Sequence, residues 1–255
     1  MKKTIVSWNV NGIRAVEKKG FCEWLQTERP DILCLQETKA RPEQLSLDLQ
    51  KPEGYVPFYS SALRPGYSGV ALFSKREPDE VTKFGRAEFD DEGRVLVARF
   101  ADLYIISAYF PNSQDAGKRL DYKLRFCEAM LEHCNKIVAQ GGNVILCGDY
   151  NIAHKPIDLA NPEANEGNPG YLPEERAFMT KFLDAGYVDC FRKFCTEPEH
   201  YTWWSYRTRA RERNVGWRLD YTCVNKGFEA HVLWAEILDG VMGSDHCPVK
   251  LTIEG

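Results

Sequence analysis

Apolar positions in this chain fall into short, nearly continuous runs separated by polar turns, and those runs define most of the expected elements. Val144 to Cys147 is one such run, the pattern of a strand buried on both faces. Asp31 to Glu37 repeats it, with an acid at the carboxyl end. Lys3 to Val10 alternates and is rich in β-branched residues, which predicts an opening strand that runs into the polar turn Asn9-Val10-Asn11-Gly12. Gly69 to Ser74 adds another strand. Arg94 to Phe100 and Leu103 to Tyr109 add two more, joined as a hairpin by the tight Ala101-Asp102 link. Leu219 to Asn225 and Val249 to Ile253 complete the set.

Helical spacing appears in three places. Gly20 to Glu28 aligns Phe21, Trp24 and Leu25 on one face, and Pro30 stops it. Lys118 to Ala139 is the longest stretch, with Leu120, Leu124, Cys127, Leu131 and Ile137 in register and Gly141-Gly142 beyond its end. Glu174 to Ala185 is closed by Gly186. The segments 52–66 and 155–173 are rich in proline and glycine and read as loops. Gly148 is expected to break the strand before it. Asp149 and Asn151, two residues apart, are expected to project from one face of an extended segment, and a strand-ending Asx turn is the alternative reading of the same residues. Both halves of the chain hold strands and at least one helix, with no linker, so residues 1–255 are expected to form a single α/β unit.

Composition narrows the class only a little. Hydrophobic residues make up 44% and charged residues 27%, which is ordinary for a domain with a real core. No apolar run approaches the roughly 18 residues a membrane span needs, and Met1-Lys2-Lys3 leads straight to Thr4, Ser7 and Asn9, so neither leader nor membrane contact is expected. The nine cysteines are odd in number and lack a C-x-x-C pair; Cys34, Cys147 and Cys223 lie inside apolar runs. That pattern favours a reduced, cytoplasmic compartment, nucleoid-associated in a prokaryote. The net charge of −4 does not mark a nucleic-acid binder. Locally, however, five arginines face one acid between Arg207 and Arg218.

Polar groups recur at the carboxyl ends of the expected strands: Asn9, Glu37, Tyr109 with Asn112, and Asp149 with Asn151. Asp220, inside an apolar strand, and the loop Ser244-Asp245-His246 join them. That edge is where α/β sheets bind ligands. Any one of these residues also fits a cap, a surface acid or a buried carboxylate bonded to backbone. As a set they suit hydrolysis of a phosphate ester. Oxygen ligands (Glu37, Asn9, Asp245 and, as a further candidate, Asp149) favour a hard cation such as Mg²⁺ or Mn²⁺, and the five histidines show no zinc-site spacing. His246 alone reads as a structural histidine. With Asp220 it forms an Asp–His pair able to stay protonated and meet a phosphate. The absence of a serine elbow, a P-loop and a G-x-G-x-x-G run disfavours covalent catalysis.

Five ordered blocks then carry a resemblance: Ser7-Trp8-Asn9-Val10-Asn11-Gly12, Leu35-Gln36-Glu37-Thr38-Lys39, Tyr109-Phe110-Pro111-Asn112, Gly148-Asp149-Tyr150-Asn151 and Gly243-Ser244-Asp245-His246. They resemble the signature of the exonuclease III family of abasic-site endonucleases, in the endonuclease/exonuclease/phosphatase superfamily. The likeness runs from Lys3 to Ile253. Two narrower blocks, Ile157-Asp158-Leu159-x-Asn161-Pro162 and Asn214-Val-Gly-Trp-Arg-Leu-Asp-Tyr221, are similar to the DNA-repair branch. The resemblance implies a four-layer α/β sandwich, two mixed sheets face to face with outer helices. It implies Glu37 as principal Mg²⁺ ligand (Mn²⁺ as a substitute), with Asn9 and Asp245 close by. Asp149 would orient or deprotonate the attacking water, Asn151, Tyr109 and Asn112 would hold the phosphate, and His246 with Asp220 would neutralise it. The identity of the base, and a second metal near Asp149 and Asn151, stay open. Asn11 stands where many relatives carry Asp, which implies a weaker or water-mediated ligand there.

The segment from Tyr201 to Arg213 has two readings: an exposed arginine loop over core tryptophans, or a DNA-gripping loop. In the second, Arg207 and Arg209 meet phosphates, and Trp203, Trp217 and Leu219 match the family positions that line a pocket for an extrahelical sugar. The loop Ser113 to Arg119 would press into the duplex. The expected activity is therefore cleavage 5′ to abasic sites in duplex DNA, leaving a 3′-hydroxyl and a 5′-deoxyribose phosphate, by a monomer. The resemblance also admits 3′→5′ exonuclease, 3′-phosphodiesterase and deoxyuridine-nicking activities, in which relatives vary. A phosphodiesterase of inositol phosphates and a DNA-binding module without catalysis are the rival readings. The Arg/Trp segment opposes the first, and the joint presence of Glu37, Asp149, Asp220 and His246 opposes the second.

Overall fold

The computed structural model describes residues 2–254. The chain lays down β1 (Lys2–Asn9), α1 (Ile13–Glu17), α2 (Phe21–Glu28), β2 (Ile32–Gln36), α3 (Leu47–Gln50), β3 (Val56–Ser60) and β4 (Val70–Ser74). It crosses to a second sheet with β5 (Glu80–Thr82), α4 (Ala87–Asp90), β6 (Val95–Phe100), β7 (Leu103–Tyr109), α5 (Leu120–Ala139), β8 (Asn143–Asp149), α6 (Pro173–Asp184), β9 (Tyr187–Asp189), α7 (Cys190–Phe194) and β10 (Asp220–Asn225). It then returns to the first sheet with β11 (Val232–Ile237) and β12 (Val249–Glu254).

The two sheets have strand orders β11-β12-β1-β2-β4-β3 and β5-β6-β7-β8-β10-β9. Each is mixed for the same reason. Its central pair, β1–β2 or β7–β8, is parallel, and a parallel pair needs a helical crossover, supplied by α1–α2 and by α5. The inner faces meet through Ile5, Cys34, Leu72, Ile105, Ile145 and Leu251. Outside, Phe126 and Met130 of α5 with Met179 and Phe182 of α6 cover the second sheet, while Ile13, Val16, Phe21 and Leu25 cover the first. Each such side chain contributes roughly 1.5–3 kcal/mol by leaving water. This is the four-layer sandwich expected. Both parallel crossovers set their two strands to end on the same edge, so the carboxyl ends of β1, β2, β7 and β8 are brought together.

Several expectations are corrected. Residues 52–66 are not all loop, since β3 lies inside them; it is an edge strand, where Pro57 costs no interior ladder bond. β5, β9 and α7 are too short to show a pattern, and β11, at the edge of its sheet with only Val232 and Ala235 buried, presents no continuous buried run. Gly148 does not break its strand: β8 continues through Asp149. Its role is steric, because a Cβ there would lie 1.8 Å from the Ala108 carbonyl oxygen of the neighbouring parallel strand. Asp220 is the first residue of β10, paired directly with Asp149 in an antiparallel register, so the amino end of β10 reaches the same edge. All nine cysteines are unpaired, and among the described residues no helix is long and apolar enough to cross a membrane.

Candidate active site

The strand ends converge on a carboxylate–carboxamide cluster. Asn9, fully buried, donates from Nδ2 to Glu37 Oε1 at 2.9 Å and to Asp149 Oδ2 at 2.8 Å, tying one sheet to the other. Asp149 accepts two further bonds: Oδ1 accepts the Asn151 backbone N–H at 2.8 Å and Oδ2 accepts Asn151 Nδ2 at 3.2 Å. This is an Asx turn with Asn151 at φ 51°, not an extended segment, so the two side chains meet because the backbone curls. Asn112 Nδ2 donates to Asn151 Oδ1 at 3.0 Å, extending the row.

His246 Nδ1 lies 2.7 Å from Asp220 Oδ2, and its Nε2 is 3.9 Å from Asp149 Oδ2. Burial opposes charge on the imidazole, but Asp220, Asp149 and Asp245 outweigh it and push the pKa up to about 10. Burial moves Asp149 the other way, to a raised pKa, reinforced by Asp220 and Glu37 and opposed by the His246 charge. For Glu37 the burial penalty is overcome by Lys39 and Asn9, which hold it ionised. Burial, with Glu37 nearby, keeps the Tyr109 phenol protonated.

Glu37, Asp149 and His246 offer ligand atoms within 4.8 Å of one another. A carboxylate- and carboxamide-lined cluster of this kind suits a hard divalent cation, and Lys39 Nζ already sits 2.7 Å from Glu37 Oε2, so the place draws positive charge. Asp245 stands one step away from that group. Its Oδ1 accepts Asn11 Nδ2 at 2.9 Å and its Oδ2 accepts Trp203 Nε1 at 3.1 Å. Asn11 also accepts a bond from Lys39. An Asp at position 11 could not donate to Asp245, so the amide here orients a neighbour instead of supplying a charge.

A cavity of about 240 Å³ opens beside the cluster, and Glu37, Tyr109, Asp149 and His246 share it with Trp203, Trp217 and Leu219. The indoles meet edge to face, with ring centroids 6.3 Å apart. Behind them Leu159, Tyr171 and Leu219 form a small apolar cluster. Asn168, Pro169 and Gly170 also line the cavity. They sit in the segment read only as loop, and their one signal was a glycine, here at φ 89°. Lys39 was likewise missed, although its place two residues beyond a strand-end acid was a signal.

The arginine segment divides. Arg207 and Arg209 are exposed on a short 3₁₀ turn and do not line the cavity. Arg211 instead stacks on Trp204 and donates to the carbonyls of Asp239 and Val241, at 2.7 Å each. Arg218 is buried, bonded to Asp158 and Asp189 at 2.8 Å. The five-arginine patch is therefore corrected to Arg207, Arg209 and Arg213. Asp158 and Arg218 join the two narrower sequence blocks through a buried ion pair.

Fold and site together define a hydrolase of phosphate esters. The endonuclease/exonuclease/phosphatase family model matches residues 6–246. The chain is 46% identical over 252 residues to an exodeoxyribonuclease of Bacillus subtilis (strain 168), covering 98% of each. It is 42% identical to the DNA repair nuclease APEX1 of Danio rerio, across 97% of this chain and 81% of that one. Among solved structures, an AP endonuclease from Leishmania major superposes with a TM-score of 0.88 at 28% identity, covering 100% of this chain and 88% of that chain. The chain belongs to the endonuclease/exonuclease/phosphatase family, and within it lies among the hydrolytic nucleases of DNA repair.

Proposed function

We propose that this protein is a Mg²⁺-dependent abasic-site endonuclease, hydrolysing the phosphodiester 5′ to the lesion in duplex DNA and leaving a 3′-hydroxyl and a 5′-deoxyribose phosphate. One observation carries this reading: the carboxylate–histidine cluster and the Trp203–Trp217–Leu219 wall share a single cavity. A sugar without a base fits against that wall, whereas a full nucleotide would have to place its base there as well.

Glu37 would be the principal ligand for the cation, with Asn9, Asp149, Asn151 and Asp245 around it. When bound, the cation supplies positive charge against the phosphate oxygens. Asp149, its pKa raised by burial, orients the attacking water and takes its proton. Asn151, Asn112 and the protonated Tyr109 hold the phosphate by hydrogen bonds. His246, kept cationic by Asp220, neutralises charge that grows on the oxygens as the bond to phosphorus forms. Arg207 and Arg209 hold the flanking backbone.

The test is an end-labelled duplex with one tetrahydrofuran abasic analogue, incubated with Mg²⁺ or with EDTA. This analogue cannot undergo β-elimination, so a nick on its 5′ side that requires Mg²⁺ is the expected result. Binding without a nick would replace the proposal with a non-catalytic DNA-binding role.

A further inference from the structure

Behind Tyr109 lies a charged group that the mechanism above does not use. Arg94 precedes β6, and its side chain is 1% exposed. Its guanidinium makes three bonds in three directions: Nε to Glu92 Oε2 at 2.6 Å, Nη1 to the Tyr109 carbonyl at 3.0 Å, and Nη2 to Tyr67 Oη at 2.9 Å. Its carbon centre stands 4.7 Å from the Tyr109 ring centroid, over the ring. The Arg94 carbonyl also accepts the Tyr109 N–H at 2.8 Å. Burying an arginine is costly, and an apolar residue of similar size would serve packing alone at least as well. Arg94 instead fixes both the main chain and the ring plane of Tyr109.

Its partners complete the frame. Tyr67 Oη accepts from Arg94 and, at 2.6 Å, from Arg119 Nη1, which uses both lone pairs of the hydroxyl. Glu92 Oε1 accepts Arg119 Nη2 at 2.7 Å, and the Arg119 N–H closes onto the Ser113 carbonyl at 2.9 Å. Gly93, at φ 59°, keeps the turn against the Ser60–Ala62 backbone, since a Cβ there would lie 2.6–2.8 Å from those atoms.

We propose that Arg94 is a positioning residue for the cleavage reaction: with Tyr67, Glu92 and Arg119 it locks the Tyr109 ring so that the phenol meets the scissile phosphate. The inference rests on the assignment of Tyr109 as a phosphate-binding group. Lysine at position 94 would keep the charge but lose the planar fork and the stacked face. The substitution therefore loosens Tyr109 without emptying the site of charge.

The experiment compares wild type, Arg94→Lys, Tyr109→Phe and the double variant. Each is read by single-turnover cleavage of the tetrahydrofuran duplex with Mg²⁺ and by DNA affinity in EDTA. Misplacing the phenol by about 1 Å should slow cleavage roughly 10- to 100-fold, with affinity changed by less than about threefold. In the Tyr109→Phe background the same substitution should cost less than about threefold, because the group it acts through is gone. An equal cost in both backgrounds, or no cost in either, overturns the proposal. Tyr109→Phe cutting at the wild-type rate would overturn it as well. Wild type that does not nick the duplex overturns the endonuclease reading itself, a separate outcome. If Arg94→Lys does not fold, Tyr67→Phe removes one hydroxyl and leaves Arg94 in place. Its loss of roughly 3- to 10-fold should likewise vanish beside Tyr109→Phe.

Discussion

Replacing Asp149 with Asn tests the centre of the site. The carboxylate accepts from the Asn151 backbone N–H, from Asn9 Nδ2 and from Asn151 Nδ2, and it faces the His246 ring at 3.9 Å. An amide has one oxygen for this ring of donors. With that oxygen toward the Asn151 N–H, the new NH₂ meets two other NH₂ groups; turned over, it meets the backbone N–H. Either way at least one buried donor loses its acceptor, at about 1–3 kcal/mol. The chemical loss is separate and larger. Without a base to take or aim the proton of water, the rate should fall by about 10²- to 10⁴-fold, or roughly 2.7–5.4 kcal/mol of barrier. Affinity for DNA should hold or improve in EDTA, because a negative charge has been removed next to a bound phosphate. The assay is single-turnover nicking of the tetrahydrofuran duplex beside fluorescence anisotropy of the same DNA. Cleavage within about tenfold of wild type would refute the role of Asp149 as base. Joint loss of cleavage and binding would mark it as structural.

Three further outcomes are expected. Lys123 and Glu175 form a fully buried ion pair at 2.7 Å, and Lys123 also donates to the Asn151 carbonyl. Lys123→Met should cost about 3–5 kcal/mol and lower Tm by roughly 6–20 °C, with Glu175→Leu added to it recovering part of the loss; no change in calorimetry would refute the pair's importance. Asp158 is opposed by burial, but Arg218 and Arg192 hold its pKa down to about 2, below the unfolded value of roughly 3.9. Its stabilisation, about 2 kcal/mol, should be present above pH ~4 and fade as pH falls toward ~2; urea melts of wild type and Asp158→Asn should then converge on acidification, and a constant gap would contradict the assignment. Arg207→Ala with Arg209→Ala should lower the slope of log affinity against log salt by about 2, and an unchanged slope would remove both from the DNA contact.

Much of the polar row at the strand ends was legible in the sequence because it needs only local rules. A buried strand reads as an apolar run, and a polar residue at its carboxyl end stands out. That sufficed for Asn9, Glu37, Tyr109, Asp149 and the Asp–His pair, and the ordered blocks sufficed for the family. Other features depend on contacts between segments far apart in the chain. Nothing local distinguishes Arg218, bound to Asp158 and Asp189, from Arg207, left in solvent, because burial of a charge depends on which distant carboxylate the fold delivers. The same holds for Arg94 under Tyr109, for Lys123 reaching Asn151, and for Gly148, whose missing Cβ makes room for a carbonyl on the neighbouring strand. The sequence by itself determined most of the strands, the polar residues at their ends and the family. Tertiary structure decided which charges stay in solvent and which are buried in ion pairs around the site, because desolvation and pairing act through space rather than along the chain.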